Sequence, residues 1–267
     1  MLKRGKARMR EILSRILDRV GERTERRKKE LPFEVLQSKI TTFPPPRDFA
    51  ESLKGKTGIN IIAEVKKASP SKGLILKDYE PVKIAKIYEK TGAKAISVLT
   101  EEDFFLGNLN DLRSVKNATR IPVLRKDFIA DTYQIYESRY FGADAILLIA
   151  RILKREVLEE FIAISKNLGL ASLVEIHDEE DFSKALGCGA EIMGINNRDI
   201  DTLKVDINVS LRLAPLIPSD RIIVSESGIR GKEEILLLKN RGINSFLIGE
   251  SLLTTENIEK KMEEMLH

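Results

Sequence analysis

Apolar positions along this chain keep two rhythms. From residue 59 onward, short runs rich in Ile, Val, Leu and Ala alternate with longer stretches whose apolar residues return every three or four positions. The short runs predict strands at 59–65, 95–99, 122–126, 144–149, 172–176, 191–195, 222–225 and 244–248. The longer stretches predict helices packed by one face. Val82, Ile84, Ala85, Ile87 and Tyr88 mark one of them, and Val157, Leu158, Phe161, Ile162 and Ile164 another. An internal echo fits the same count. "TGAKAISVL", "FGADAILLI", "CGAEIMGI" and "RGINSFLIG" begin at residues 91, 141, 188 and 241, and each sets a glycine at the close of a helix ahead of a strand. Strands alternating with helices imply parallel βαβ units. A repeat near 50 residues would also suit a propeller, but the intervening helices argue against one. Eight units in about 210 residues fit a TIM (β/α)8 barrel. The rival fold is a doubly wound open sheet, and no Gly-x-Gly-x-x-Gly follows the first strand to favour it.

Residues 1–58 are expected to form a helical extension packed on a single barrel domain, 59–267. Met9, Ile12, Leu13, Ile16, Leu17 and Val20 make one apolar helical stripe, with a solvated basic face opposite. "TTFPPPRDF" at 41–49 reads as a stiff connector. Charge sharpens this division. Residues 1–30 carry a net +7 and the rest of the chain a net −3, so the basic character belongs to the extension. Such a helix could draw in an anionic substrate or, less simply, bind RNA or a membrane surface. One Cys, Cys188, allows no internal disulfide and suits a reducing compartment, so a cytoplasmic protein is expected. High Lys, Glu and Arg content with two Gln points to a heat-adapted source. Two His, His177 and His267, leave no zinc-like ligand cluster and little scope for a His-activated nucleophile. Acid–base chemistry therefore falls to Lys, Glu and Asp.

Strand C-terminal ends converge on one face of such a barrel. Here they carry Glu64 and Lys66, Thr100, Lys126, Leu147, Glu175, Asn196, then Ser225-Glu226-Ser227-Gly228 and Gly249-Glu250-Ser251. A single strand-end charge reads as solvated; a ring of lysines and glutamates reads as a site in which the groups shift one another's pKa. The turns after strands seven and eight, with Gly228 and Gly249, suit a phosphate, and Ser69 or Lys66 could close that cradle. Phe104, Phe105 and Phe128 follow strand ends and could line an apolar slot. His177 is expected in a loop or helix start, Cys188 as a buried filler, and Asp127 and Asp199 at helix starts or paired with Arg.

"IIAEVKKASPSKG", "SVLTEEDFFLG", "VLRKDF", "DAILLIARIL", "LVEIH", "GINNRDI", "VSESGI" and "FLIGESLL" together resemble the indole-3-glycerol-phosphate synthase family of tryptophan biosynthesis, over about residues 30–255. The resemblance implies a cofactor-free, metal-free barrel lyase whose N-terminal extension helps cap the site. It would close and decarboxylate 1-(2-carboxyphenylamino)-1-deoxyribulose 5-phosphate to indole-3-glycerol phosphate, CO2 and water. It further implies Lys126 as general acid and Glu175 as general base. Lys66 would hold the substrate carboxylate, Glu64 and Asn196 would orient these groups, and Ser227 would contact substrate. Phosphate would lie on Ser69, Gly228, Gly249 and the backbone N–H of Glu250, with Arg198 nearby. Phe105, Phe128 and Leu147 would form the aromatic slot. Glu250 departs from the Ser or Thr of many relatives, so its carboxylate should point away from the phosphate. For Lys126 to serve as acid, its pKa should fall well below the ordinary lysine value through Lys66 and desolvation. The alternatives are a phosphoribosylanthranilate isomerase-like barrel, a Schiff-base aldolase, and a nucleic-acid-binding protein led by the basic helix. The partner expected is the small-molecule substrate, with no nucleic acid and no membrane, for a monomer or weak homo-oligomer.

Overall fold

The computed structural model describes residues 2–55, 58–200 and 202–267, with side chains in the first helix described from Ile12 onward. The predicted strands become β1 (Asn60–Val65), β2 (Ala95–Leu99), β3 (Val123–Lys126), β4 (Ala145–Ile149), β5 (Ala171–Ile176), β6 (Ile192–Asn196), β7 (Ile222–Glu226) and β8 (Ser245–Ile248). Every strand pairs in parallel with the next. β8 returns to β1, with Asn60 opposite Ser245 and Ala63 opposite Ile248, and closes the barrel. Helices such as Pro81–Lys90, Thr132–Tyr140 and Arg155–Asn167 cover the outside. Polar side chains set their starts by accepting otherwise unpaired N–H groups: Asn108 from Asn110, Asp131 from Tyr133, Asp178 from Asp181.

Side chains alternate across each strand. One set, including Ile61, Ala63, Val65, Ile96 and Val98, packs under the outer helices. The other set, including Ile62, Leu124, Leu147, Leu173, Val224 and Leu247, fills the barrel. The segment before the barrel closes both of its ends. Helix α3 (Phe49–Ser52) seals the N-terminal end, where Phe49 and Leu53 join the interior and Asn60 donates to the carbonyls of Leu53 and Gly55, both at 3.0 Å. At the other end α1 (Leu2–Glu30) lays Ile12, Leu13, Ile16, Leu17 and Val20 against Phe104, Phe105 and Phe128. The Met9 side chain of the expected stripe, and Met1, Lys56 and Thr57 of the expected extension, lie outside what is described. The connector after α2 (Phe33–Ile40) runs without helix, and Arg47 pins it by donating to Ile121 and Lys116 carbonyls and, through its backbone N–H, to buried Asp144. Among the described residues no helix is long and apolar enough to cross a membrane.

The basic face of α1 is solvated only in part: Arg15, Arg19, Arg26 and Lys29 are exposed as expected, and the other described cations dock. Arg23 pairs with Glu101 and Asp103, both at 2.9 Å, while Arg27 reaches Glu102 and Glu137 and Lys28 reaches Asp131. The acidic run after β2 lies directly beneath α1, so these cations are neutralised where they dock. Glu137 also holds Arg125 at 3.0 Å. Arg125 points outward from β3 yet is fully buried, with Asp127 at 2.9 Å, the Ser138 hydroxyl at 3.0 Å and the Gln134 carbonyl at 3.1 Å as further acceptors. A chain of ion pairs thus runs from α1 to the residue next to Lys126.

Breaking a buried pair strands the partner charges, which costs about 3–5 kcal/mol. Arg125→Met should therefore destabilise the fold by that amount in urea unfolding. A loss below about 1 kcal/mol, the scale of an exposed pair, would show the network to be well solvated.

Candidate active site

The two-residue period of the strands builds the site. Above the last apolar layer of the barrel, the next inward position on β1, β3, β5 and β7 is Glu64, Lys126, Glu175 and Glu226. On β6 it is Asn196, and just past β1 and β8 it is Lys66 and Gly249. All these residues line one cavity of about 670 Å³ at the C-terminal mouth of the barrel. So do Ser69, Phe105, Phe128, Leu147, Arg198, Ser227, Gly228 and Glu250, so the structure brings together every residue that the family resemblance assigned to the site, while Phe104, Thr100, His177, Cys188 and Asp199 lie outside the lining. Ile12, Leu13 and Ile16 of α1 contribute to the wall.

At the floor, the Lys126 ammonium donates to Glu175 Oε2 at 3.2 Å and to Glu226 Oε2 at 3.0 Å. Lys66 pairs with Glu64. Glu175, Glu226 and Glu64 are all buried. Burial alone would pull the Lys126 pKa down, but the carboxylates of Glu226, Glu175 and Glu64 outweigh it and raise it above the ordinary lysine value. This reverses the expected lowering: Lys66 turns to Glu64, and the groups closest to Lys126 are acids. Glu175 is opposed by burial, yet Lys126, His177 and Asn196 hold it below the usual glutamate value. Glu226 goes the other way, pushed up by burial to about 7 with Glu175 and Glu64 adding to the effect and Lys126 opposing it. Its Oε1 is buried without a hydrogen-bond partner and lies over Gly194, where a Cβ would sit 2.1 Å away.

Glu226 stands among the strand-end residues of the sequence, but no role is assigned to it there. "VSESGI" contains it, but only Ser227 and Gly228 were drawn from that turn. The alternation of Val224 and Glu226 on the inward face was the available signal. Gly249 also takes on a second meaning. A Cβ there would lie 2.3 Å from Glu64 Oε1, so this glycine makes room for a glutamate of the paired strand.

The opposite side of the cavity is formed by turns. Ser227 and Gly228 both hold positive φ, at 66° and 79°, an unusual conformation for the serine. Ser69 sits in a short hairpin of Ala68–Ser69 with Gly73–Leu74. Arg198 donates to the Leu203 carbonyl and to Glu250 at 3.2 Å, and Lys72 lies 3.4 Å from the same carboxylate. The Glu250 carboxylate is thus held by these two cations. Phe105 and Phe128 meet as a tilted pair, 6.3 Å between ring centres and 42° between planes, in the same apolar cluster as buried Leu147. Glu101 fixes this wall. Its Oε2 accepts the N–H groups of Phe104 and Phe105 at 2.7 and 3.1 Å, while its Oε1 accepts Arg23 of α1. His177 lies in the turn after β5, Cys188 is buried, Asp127 pairs with Arg125, and Asp199 accepts the N–H of Thr202. Among the described residues, no three His, Cys, Asp or Glu side chains are grouped to hold a metal ion.

A model of the family described as indole-3-glycerol phosphate synthase matches residues 13–265. Curated proteins of that name from Dehalococcoides mccartyi (strain CBDB1) and Endomicrobium trichonymphae are each 49% identical over 259 residues. The first alignment covers 96% of this chain and 100% of the relative, the second 95% and 99%. Among solved structures, 3-hexulose-6-phosphate synthase from Salmonella typhimurium superposes with a TM-score of 0.62 at 11% identity, covering 78% of this chain and 96% of that one. Thiamine phosphate pyrophosphorylase from Pyrococcus furiosus gives 0.60 at 15%, covering 78% and 93%. At such identities the likeness is one of fold alone.

The raised Glu226 value has a measurable consequence. Between its ordinary value of 4.5 and its folded value of about 7, the folded chain binds a proton that the unfolded chain has released. The contribution of this residue to stability is therefore fully present below that window and lost as pH rises through it. Unfolding free energy measured from pH 4.5 to 7 should fall more steeply for the parent chain than for Glu226→Gln. Equal slopes would place the Glu226 pKa near the ordinary range.

Proposed function

Because the chain belongs to the indole-3-glycerol phosphate synthase family, we propose that Lys126, Glu175 and Glu226 move the protons of its decarboxylating ring closure. The substrate is 1-(2-carboxyphenylamino)-1-deoxyribulose 5-phosphate. The observation that carries this reading is the Lys126 ammonium held between two buried carboxylates on the floor of a cavity with an aromatic wall.

The ring carbon bearing the carboxylate attacks the ketose carbon, and the carbonyl oxygen gains negative charge. Lys126 suits that oxygen. Its raised pKa keeps it an ammonium in the free enzyme, and a developing alkoxide is a stronger base than an amine, so the proton still passes. Loss of CO2 then restores the aromatic ring. The new hydroxyl leaves as water once protonated, and Glu175, held ionised, takes the proton from the ring system. Glu226, poised near neutrality beside Lys126, can return a proton to it between steps. Lys66 has a carboxylate partner in Glu64 that the substrate carboxylate can replace, and Asn196 orients Glu175. Phe105, Phe128 and Leu147 receive the benzene ring. Ser69, Gly228, Gly249 and the Glu250 N–H receive the phosphate, with Arg198 released from Glu250 to meet it. Ser227 contacts substrate. Residues 1–58 act as a cap on a single-domain barrel, 59–267. A cytoplasmic setting, without nucleic acid, and a monomer or weak homo-oligomer complete the reading, supported by the single cysteine and by the pairing of α1 cations with the barrel.

Lys126→Met should lower kcat by about 10²–10⁴-fold, the scale of a positioned proton donor. KM should change far less, since the lost interaction belongs to the transition state. Glu175→Gln should slow dehydration more than ring closure. Near-normal turnover of the carboxyphenylamino substrate by Lys126→Met would sink the assignment. Arg198→Met should raise the substrate KM and the Kd of inorganic phosphate together by about 10- to 100-fold, as expected for a lost bond to a charged group. Unchanged phosphate affinity would move the cradle elsewhere.

A further inference from the structure

His177 is buried, titratable and absent from the cavity lining. Its Nε2 lies 3.3 Å from Glu175 Oε1, and its Nδ1 lies 3.5 Å from Asp181 Oδ2. Glu175 is thus gripped on both oxygens: Oε2 faces Lys126 and the cavity, while Oε1 faces the imidazole. Asp181 is fixed in turn. It accepts the His177 backbone N–H at 3.1 Å, sits in the first turn of the helix Glu179–Gly187, and meets Arg151 Nε at 3.3 Å. Arg151 also reaches Asp178 and, at 3.9 Å, Asp199 from the loop after β6. Neither ring nitrogen makes a well-formed hydrogen bond. What passes between ring and carboxylates is therefore chiefly charge, felt strongly in a dry setting.

We propose that His177, backed by Asp181, is a positioning residue for Glu175: as an imidazolium it holds Oε1 away from the substrate, presents Oε2 to Lys126, and keeps the carboxylate ionised. The proposal rests on the reading of Glu175 as base. The groups facing the imidazole set its charge. Burial and Arg151 oppose protonation, while Asp181 and Glu175 outweigh them and raise the ring above the ordinary histidine value. Asp199 faces it from the loop after β6, and Lys126 and Glu226 act on it through Glu175. The imidazolium is fully present below the ordinary value of 6.5 and is lost as pH rises through the raised one, so it is in place wherever Glu175 titrates.

Two measurements test the proposal. The chain has two histidines, His177 and the terminal His267, so ring resonances can be assigned by NMR in the unaltered protein. His177 should titrate above 6.5, and Glu175→Gln should lower its midpoint. In kinetics, His177→Gln removes the charge and keeps a polar side chain. The acid limb of its kcat–pH profile should move up by about one pH unit, the scale of one lost neighbouring charge, with KM within about twofold. Asp181→Asn, which leaves the ring in place, should lower the His177 midpoint in the same NMR titration. A merely structural histidine would change stability and leave the limb where it was. The proposal is overturned if the His177 midpoint ignores Glu175→Gln or Asp181→Asn, or if the acid limb stays fixed in folded His177→Gln protein. Failure of the underlying reading would look different: Glu175→Gln would keep its kcat while the NMR coupling persisted.

Discussion

An ammonium stays buried only where carboxylates surround it, and Lys126 makes that demand on the whole barrel. Its two nearest partners come from β7, directly across the ring from β3, and from β5, two strands away. Only a closed sheet brings those strand ends within 3.2 Å of one nitrogen. With α1 across the mouth and α3 plugging the opposite end, the attraction between these charges is strengthened and any one of them left unpaired becomes costly. Three glutamates face two lysines, leaving one negative charge in excess. The structure relieves it at Glu226, whose affinity for a proton rises to about 7. The raised proton affinity of Glu226 is thus a consequence of uneven charge in a closed space.

The site is tied to the extension by ion pairs that share members. Arg23 meets Glu101, and Glu101 shapes the loop bearing Phe104 and Phe105. Arg27 meets Glu137, and Glu137 meets Arg125, the residue preceding Lys126. Docking α1 therefore does more than exclude water. It sets both the aromatic wall and the strand that carries the lysine.

How much of this was legible in the sequence depends on the range of the interaction. Periodicity is local, so all eight strands were found to within a residue. The glycines of the internal echo, Gly92, Gly142, Gly189 and Gly242, all take positive φ where their helices close. Strand ends converge by topology, so the ring of charged residues could be listed before any coordinate was known. Pairing across the ring is not local, and there the reading failed. Lys126 was expected to lose its proton easily beside Lys66, but Lys66 turns to Glu64 and the acids prevail. Glu226 was given no role because two small residues beside it had already given that turn a purpose. Arg125, on the outward parity, gave no sign that it would be wholly enclosed.

Gly194 and Gly249 each leave a space that a glutamate of the adjoining strand fills: Glu226 of β7 over Gly194 of β6, and Glu64 of β1 over Gly249 beyond β8. Side-chain volume at one position is thus exchanged for a carboxylate at its neighbour. A methyl group added at Gly249 would meet Glu64 at its Cβ as well as its Oε1, so a larger residue there would displace the partner of Lys66 and not merely crowd the turn.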